Sequence, residues 1–274
     1  GRTVAHRGCD AHRETRAATD GPRGRGIGWR VGPRLVWWPA MQRSDLAGLI
    51  DHTVLAPGAH AQDIDAACEE ALTHGFCTVC VASSWVAQAS ATLRRLRESQ
   101  GGLRESQESP LVKVCSVVGF PHGNATTAAK VAETHAAVLA GAGEIDVVMH
   151  QGLEDWAAVQ ADLAAVVEAA EGRAVKVILE TFGRPEAFVR RASSVSVAAG
   201  AAFGKTSTGF GAGGATLDAV RWMRDEVGAV VGVKASGGIR DAAGADAMVK
   251  AGASRLGCSA GVAIVSGGSA GKGY

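Results

Sequence analysis

Aromatic side chains are scarce in this chain of 274 residues: they make up 5% of the sequence, and its single tyrosine, Tyr274, is the last residue. Aliphatic side chains must therefore fill the core, and the evenly spread alanine, valine and glycine favour one large core. The sequence also lacks any run of about 20 apolar residues, the length that a membrane-spanning helix needs. We expect no membrane partner.

The six cysteines lack the spacing of a disulfide framework and lie in apolar surroundings. This usage is typical of a reducing cytosol, and we expect a cytoplasmic protein. Cys77 and Cys80 are three residues apart, which suggests a redox or zinc site as an alternative to buried structural thiols. Because residues three apart on a strand point to opposite faces, the structural reading is favoured and no metal is expected.

The formal net charge of +1 conceals an asymmetry along the chain. Residues 1–40 contain eight arginines, three acidic residues and no lysine, so residues 41–274 sum to −4. A mildly acidic globular part is unsuited to binding nucleic acid.

The first forty residues differ from the rest in pattern as well as in charge. They hold three of the six tryptophans and no sustained helix or strand period, and an ordered pattern opens at Met41. We predict that residues 1–40 are a disordered or artefactual extension, translated from GC-rich flanking DNA, with an arginine-rich transit peptide as the alternative. Residues 41–274 form the globular unit and end in a Gly/Ser-rich tail, 266–274.

From Leu46 onward, short apolar runs alternate with longer amphipathic ones. This alternation predicts strand and helix units around a parallel sheet, and eight such strands suit a closed TIM (β/α)8 barrel of the α/β class, in a single domain, better than an open sheet. The predicted strands are 49–54, 76–81, 112–117, 144–149, 175–179, 202–205, 230–234 and 255–257.

Two lysines stand where predicted strands end and glycine-flanked loops begin. Lys205 opens Lys205-Thr-Ser-Thr-Gly209, and Lys234 precedes Ala235-Ser-Gly-Gly-Ile-Arg240. Asp146 lies in a strand that is otherwise apolar, where a carboxylate is costly without a cationic partner. A structural salt bridge would explain Asp146 alone, but the carboxyl ends of barrel strands meet on one face, which would bring all three groups together.

Together these three groups suggest carbonyl chemistry. An amine attacks a carbonyl only when neutral, whereas an ordinary lysine has a pKa of about 10.4. A second ammonium nearby and partial burial both lower that pKa. The pattern predicts that one lysine forms an imine, the other lowers its pKa, and the carboxyl group moves protons.

Two glycine-containing loops indicate which chemical group the substrate carries. Gly237 and Gly238 follow the seventh predicted strand, and Gly257 and Ser259 flank the end of the eighth. Barrels commonly bind phosphate at these two loops through backbone N–H groups. We expect a small phosphosugar substrate, with Arg240 either adding charge or serving as a solvated surface group.

Six ordered motifs carry a resemblance to a known family. The chain from about Leu46 onward resembles the deoxyribose-phosphate aldolases, which implies a TIM barrel that cleaves 2-deoxy-D-ribose 5-phosphate to glyceraldehyde 3-phosphate and acetaldehyde without a metal or other cofactor. The motifs are Asp51-His-Thr-Val-Leu55, Val118-Gly-Phe-Pro-His-Gly123, Glu144-Ile-Asp-Val-Val148, Ile178-Leu-Glu-Thr181, Lys205-Thr-Ser-Thr-Gly-Phe210 and Val233-Lys-Ala-Ser-Gly-Gly-Ile-Arg240.

The resemblance also implies a role for single residues. Lys205 matches the Schiff-base lysine, Lys234 the second lysine, and Asp146 the acid/base that works through a water molecule. Thr53, Thr208 and Gly209 are expected beside the substrate, although threonines at strand ends also bond to backbone. Tyr274 matches a terminal tyrosine that is thought to enter the site, whereas its Gly/Ser-rich tail also suits disorder. A homodimer or homotetramer is the expected assembly.

Some residues depart from the family pattern. Ala202 and Gly204 replace the usual Asp and Val beside the imine lysine, and His150 replaces an Asn. Gly204 adds backbone freedom and removes a packing side chain, so we expect looser positioning of Lys205. Two alternatives therefore stay open: another Schiff-base aldolase or transaldolase, and a phosphosugar-binding pseudoenzyme.

Overall fold

The computed structural model describes residues 28–31, 34–37, 46–99 and 111–269. Backbone contacts divide the chain into two units, Gly1–Ala40 and Met41–Tyr274. In the first unit, Gly28–Val31 and Arg34–Trp37 pair as an antiparallel hairpin, which no sequence period predicts. The remaining residues of 1–40 lie outside the described ones, so the disordered or artefactual extension stays a prediction.

Eight parallel strands of the second unit close into a barrel in chain order, with the eighth strand paired to the first. The TIM-barrel prediction is confirmed. The strands are β1 (Ile50–Val54), β2 (Thr78–Val81), β3 (Lys113–Val118), β4 (Glu144–Val148), β5 (Ala174–Ile178), β6 (Phe203–Lys205), β7 (Gly232–Ser236) and β8 (Arg255–Cys258).

A helix follows each strand and covers the outside of the sheet. Side-chain caps fix where several helices begin. Asp155 and Asp241 accept hydrogen bonds from first-turn N–H groups of the helices that start at Trp156 and Ala242, and Thr216 does so for the helix that starts at Leu217. The helices are α1 (Ala61–His74), α2 (Val86–Ser99), α3 (Thr127–Leu139), α4 (Trp156–Ala169), α5 (Glu186–Ala198), α6 (Leu217–Val227), α7 (Ala242–Lys250) and α8 (Gly261–Ser266). No helix within residues 46–99 and 111–269 has the length and apolar character to cross a membrane.

The ends of the predicted strands fall within about two residues of the observed ends, and one strand is displaced by two residues at both ends. Residues 230–234 are predicted as the seventh strand, but β7 runs from Gly232 to Ser236. Lys234 therefore lies in the middle of this strand and not at its end as predicted. Val230 is 97% exposed and belongs to the turn after α6. The error arises because two adjacent valines look like strand core when nothing in the sequence shows that the first faces solvent.

Apolar burial lies mainly between the sheet and the helices. Outward-facing valines of the strands pack there against aliphatic helix residues, whereas a small separate cluster of Leu55, Cys80, Cys115 and Val117 lies inside the barrel. The rest of the barrel interior therefore has room for polar side chains, which is where the site is built.

Gly204 in β6 shows how the barrel compensates for a missing side chain. A Cβ built at Gly204 would lie 2.8 Å from the Cε methyl of Met223 on α6, and Met223 is fully buried. The methionine therefore occupies the space that a side chain at position 204 would need. The expected loosening around Lys205 is opposed by this contact.

This packing predicts that the effect of Gly204→Ala on stability changes sign when Met223 is truncated. Gly204→Ala should destabilise the parent protein by about 1–3 kcal/mol, because the new methyl overlaps Met223. Met223→Ala should cost about 2–5 kcal/mol through the cavity that it leaves. In the Met223→Ala background the Gly204→Ala change should stabilise, since it refills part of that cavity. Urea denaturation measures all four free energies, and additive effects would contradict the packing.

Candidate active site

The cavity at the carboxyl ends of the strands is the candidate active site. It has a volume of about 510 Å³ and is open on one side. Its walls combine strand ends from β1 and β6 with the loops after β6, β7 and β8. The sequence-predicted residues that line it are Thr53, Lys205, Thr208, Gly209, Gly237, Gly238, Gly257 and Ser259, together with Arg240.

Beneath this cavity, one carboxylate joins the two predicted lysines. Oδ2 of Asp146 lies 2.8 Å from Nζ of Lys205 and 2.8 Å from Nζ of Lys234. Lys205 lines the cavity, whereas Lys234 and Asp146 are fully buried below it. The geometry brings the three predicted groups within direct contact, with Lys205 nearest the space for a substrate.

Further charged side chains contact Asp146 and Lys234, and they were not predicted from the sequence. Lys176 in β5 contacts Oδ1 of Asp146 at 2.8 Å and Oε2 of Glu144 at 2.7 Å. Arg255 in β8 contacts Oδ1 of Asp51 at 2.7 Å and Oε2 of Glu144 at 3.0 Å. Oδ2 of Asp51 bonds in turn to Lys234. Four cations and three carboxylates thus form one continuous interior network.

The missed residues carry a signal that the sequence offers. Lys176 lies in Ala174-Val-Lys-Val-Ile178 and is the only charged residue of a short apolar strand, as Asp146 nearly is in its own. The cost of an unpaired buried charge, which singles out Asp146, applies equally to Lys176. Asp51 and Glu144 stand inside two of the family motifs.

The network stabilises the charged forms of Asp146 and Lys234. Burial alone would raise the pKa of Asp146, but the three neighbouring lysines hold it well below its ordinary value. Burial likewise opposes the charge of Lys234, yet Asp146 and Asp51 outweigh it and raise the pKa of Lys234. Lys234 is therefore a fixed positive charge that shares a carboxylate oxygen with Lys205.

The glycines of the cavity wall serve different purposes. Gly238 has a φ of 80°, and no atom lies within 4 Å of an added Cβ, so its backbone is open toward the cavity. Gly237 has a φ of 89° and lies against Gly214, where a Cβ would come within 2.9 Å of the neighbouring Cα. Gly257 lies within β8, which continues one residue beyond the predicted strand 255–257 to Cys258. A Cβ at Gly257 would lie 2.8 Å from Cε of Lys234, so Gly257 makes room for the lysine stem.

Both predicted threonines line the cavity and also bond locally. Oγ1 of Thr53 donates to the carbonyl of Asp51 at 2.9 Å. Oγ1 of Thr208 accepts the N–H of Phe210 at 3.0 Å. Their backbone role is thus present, and their contact with a substrate stays a prediction. Tyr274 lies outside the described residues.

The cysteines do not form the paired site that their spacing suggests. Cys80 faces the barrel interior beside Cys115, while Cys77 precedes β2 and is partly exposed. The thiol of Cys115 donates to Oδ1 of Asp146 at 3.1 Å. Cys80, Cys115 and Asp146 are close enough together to hold a metal ion. Ammonium groups already bond to both oxygens of Asp146, which disfavours a cation there.

A closed parallel barrel with two lysine amines on one buried carboxylate beneath a cavity is typical of a class of enzyme that acts on carbonyl groups. Comparison with known proteins narrows this class. The model of the DeoC/LacD family aldolases matches residues 46–267, and the chain belongs to that family of lyases.

Similar proteins agree with this assignment. The deoxyribose-phosphate aldolase of Exiguobacterium sibiricum is 46% identical over 84% of this chain and 100% of its own length. Deoxyribose-phosphate aldolase 1 of Bacillus licheniformis is 45% identical over 84% of this chain and 98% of its own. A solved structure of the tetrameric deoxyribose phosphate aldolase from Aeropyrum pernix superposes with a TM-score of 0.73 at 34% identity, covering 82% of this chain and 91% of that one.

Removing the central carboxylate should destabilise the barrel. Asp146→Asn takes away the partner of three buried ammonium groups, and the expected loss is about 3–5 kcal/mol of unfolding free energy. Asp218→Asn is the control, because its exposed pair with Arg221 should contribute less than about 1 kcal/mol. Urea denaturation followed by circular dichroism measures both. Equal, small losses would show that the network does not depend on Asp146.

Proposed function

We propose that this enzyme cleaves 2-deoxy-D-ribose 5-phosphate reversibly to D-glyceraldehyde 3-phosphate and acetaldehyde through an imine on Lys205. The observation that carries the proposal is the pair of amines, Lys205 and Lys234, on one oxygen of Asp146 beneath the cavity. Support for the substrate comes from the named activity of relatives at 45–46% identity. The reaction would serve the breakdown of deoxyribose phosphate in the cytoplasm.

In the proposed reaction the neutral amine of Lys205 attacks C1 of the open-chain sugar. Loss of water from the carbinolamine gives a protonated imine, which accepts the electron pair of the C2–C3 bond when that bond breaks. The C3 hydroxyl loses its proton and becomes the aldehyde of glyceraldehyde 3-phosphate. The remaining enamine is protonated at C2 and hydrolysed to acetaldehyde. Asp146, acting through a water molecule, is the group proposed to move these protons.

The position of Lys205 supports it as the amine that reacts. Lys205 lines the cavity, whereas Lys176 and Lys234 are fully buried below it. The imine chemistry needs no metal, and we propose that none takes part.

Phosphate is proposed to bind at the backbone of Gly237, Gly238 and Ser259. These residues line the cavity together with Arg240, whose guanidinium would add positive charge. Gly209 and Gly257 complete this wall, and the hydroxyl groups of Thr53 and Thr208 are proposed to contact the sugar and its water. Tyr274 is proposed to assist proton transfer from the C-terminal tail. A homodimer or homotetramer is the proposed assembly, since the Aeropyrum pernix relative is tetrameric.

Trapping with borohydride tests the imine. Reduction in the presence of deoxyribose 5-phosphate should fix a covalent adduct, seen by intact mass, and peptide mapping should place it on Lys205. Lys205→Ala should abolish the adduct, whereas Lys250→Ala, at an exposed surface lysine, should keep it. An adduct that persists at another residue would refute the assignment, and absence of any adduct in the parent protein would favour a binding protein instead.

Replacing Lys234 tests the coupling of the two amines. The reaction uses the amine of Lys205 in its neutral form, and the ammonium of Lys234 lies on the same carboxylate oxygen. Because a neighbouring positive charge disfavours a second ammonium, Lys234→Met should move the profile of kcat/KM against pH to higher pH. Lys250→Met should keep the parent profile of kcat/KM against pH. An unchanged profile in Lys234→Met would show that the amines are uncoupled.

A matched pair of variants at Gly238 tests the phosphate loop. Asp and Asn tolerate the left-handed backbone of this position better than other residues with a side chain, and they differ mainly in charge. Gly238→Asp should raise KM for deoxyribose 5-phosphate at least about tenfold above Gly238→Asn, because its carboxylate repels the phosphate. The two variants should act alike on unphosphorylated deoxyribose. Equal ratios for both substrates would place the phosphate elsewhere.

A further inference from the structure

One family motif, Ile178-Leu-Glu-Thr181, has no task in the lysine chemistry. Its Glu180 follows β5 directly and has a φ of 52°, in the left-handed region that residues with a side chain seldom adopt. Such a conformation costs free energy and persists where surrounding contacts require it. The contacts of Glu180 therefore indicate what the conformation is for.

The Glu180 carboxylate reaches across to the loop that follows β6. Its Oε2 accepts the N–H of Thr208 at 3.0 Å. Its Oε1 is buried and has no hydrogen-bond partner among the residues that the structure describes. That oxygen faces Gly211 closely: a Cβ there would lie 2.7 Å from it. One side chain thus touches both the start and the middle of the loop.

This loop, residues 208–214, is here called the glycine wall, and it reads Thr-Gly-Phe-Gly-Ala-Gly-Gly. It lines the cavity and lies against the phosphate-binding glycine pair proposed above: a Cβ at Gly214 would come within 2.1 Å of the carbonyl oxygen of Gly237. Four of its seven residues lack a side chain, so the wall has much backbone entropy to lose on ordering. Groups outside the loop offset this cost: the ring of Phe182 lies against Gly213, and the ring of Phe120 packs edge-on against Phe210. Glu180 adds the contacts at Thr208 and Gly211.

We propose that Glu180 is a positioning residue that holds the glycine wall against Gly237 and thereby sets the affinity of the cavity for the phosphate end of the substrate. The inference rests on the proposed function. Glu180 does not line the cavity itself. It acts through the N–H of Thr208, which fixes the chain where Gly209 begins, and through its contact with Gly211.

Two substitutions of Glu180 and two substrates separate this role from a general structural one. Glu180→Gln keeps an oxygen that accepts the N–H of Thr208, and Glu180→Ala removes it. The Ala variant should raise KM for deoxyribose 5-phosphate about tenfold, the scale of one lost hydrogen bond, and leave kcat/KM for unphosphorylated deoxyribose within about threefold. The Gln variant should stay within about threefold of the parent on both substrates.

A second cycle tests the contact with Gly211. Gly211→Ala in the parent should raise KM for the phosphorylated substrate, because the new methyl overlaps Oε1 of Glu180. In the Glu180→Ala background Gly211→Ala should raise KM for the phosphorylated substrate less than about twofold, since the clash is gone. Additive effects in this cycle would show that the two residues do not act on each other.

Calorimetric titration with inorganic phosphate keeps the test independent of cleavage. Glu180→Ala should weaken phosphate binding about tenfold and Glu180→Gln much less, whether or not the parent cleaves deoxyribose 5-phosphate. A parent that binds phosphate but does not cleave the sugar would contradict the proposed function alone. Equal losses on both substrates with unchanged phosphate binding, or a Gln variant as impaired as the Ala variant, would overturn the role of Glu180.

Discussion

The Asp146 carboxylate is the group around which the barrel interior is arranged. Both of its oxygens contact ammonium groups, Oδ1 that of Lys176 and Oδ2 those of Lys205 and Lys234. A buried charge is tolerated only with partners, and these lysines would be as costly without the carboxylate as it would be without them. Asp51 and Glu144 then offset the remaining charge through Arg255. The amine of Lys205, the proposed nucleophile, is one member of a structural network, so the proposed reactivity and the stability depend on the same contacts.

Much of the architecture could be predicted from the sequence because each strand is a short apolar run between amphipathic helices. Residues such as Val147 and Val177 are buried between sheet and helices, and their period identifies the strand whatever the partner strand is. The same local reasoning correctly places Lys205 at the end of its strand. It wrongly places Lys234 at a strand end, because β7 continues through Ser236. It fails at Val230, because an apolar residue in a turn looks the same in sequence as one in a strand.

The charged network could not be predicted as a whole because it depends on register between strands. In the barrel Asp146 is paired with Lys176, Lys205 with Lys234, and Lys234 with Arg255. A shift of one residue in any pair would turn a side chain from the interior to the helix layer. Composition and period show which side chains point inward, but they do not show which of these side chains lie side by side on neighbouring strands. The register of the closed sheet determines those pairs.

The roles of the glycines also could not be predicted from the sequence. In sequence Gly204, Gly257 and Gly238 are alike, yet Met223 fills the space beside the first and the stem of Lys234 fills the space beside the second. Gly238 and Gly209 differ from both, since each has a left-handed backbone at the cavity and no atom within 4 Å of an added Cβ. Close neighbours explain a glycine by packing alone. Where close neighbours are missing and the backbone faces a cavity, packing does not explain the glycine, and a bound anion is the explanation that we propose.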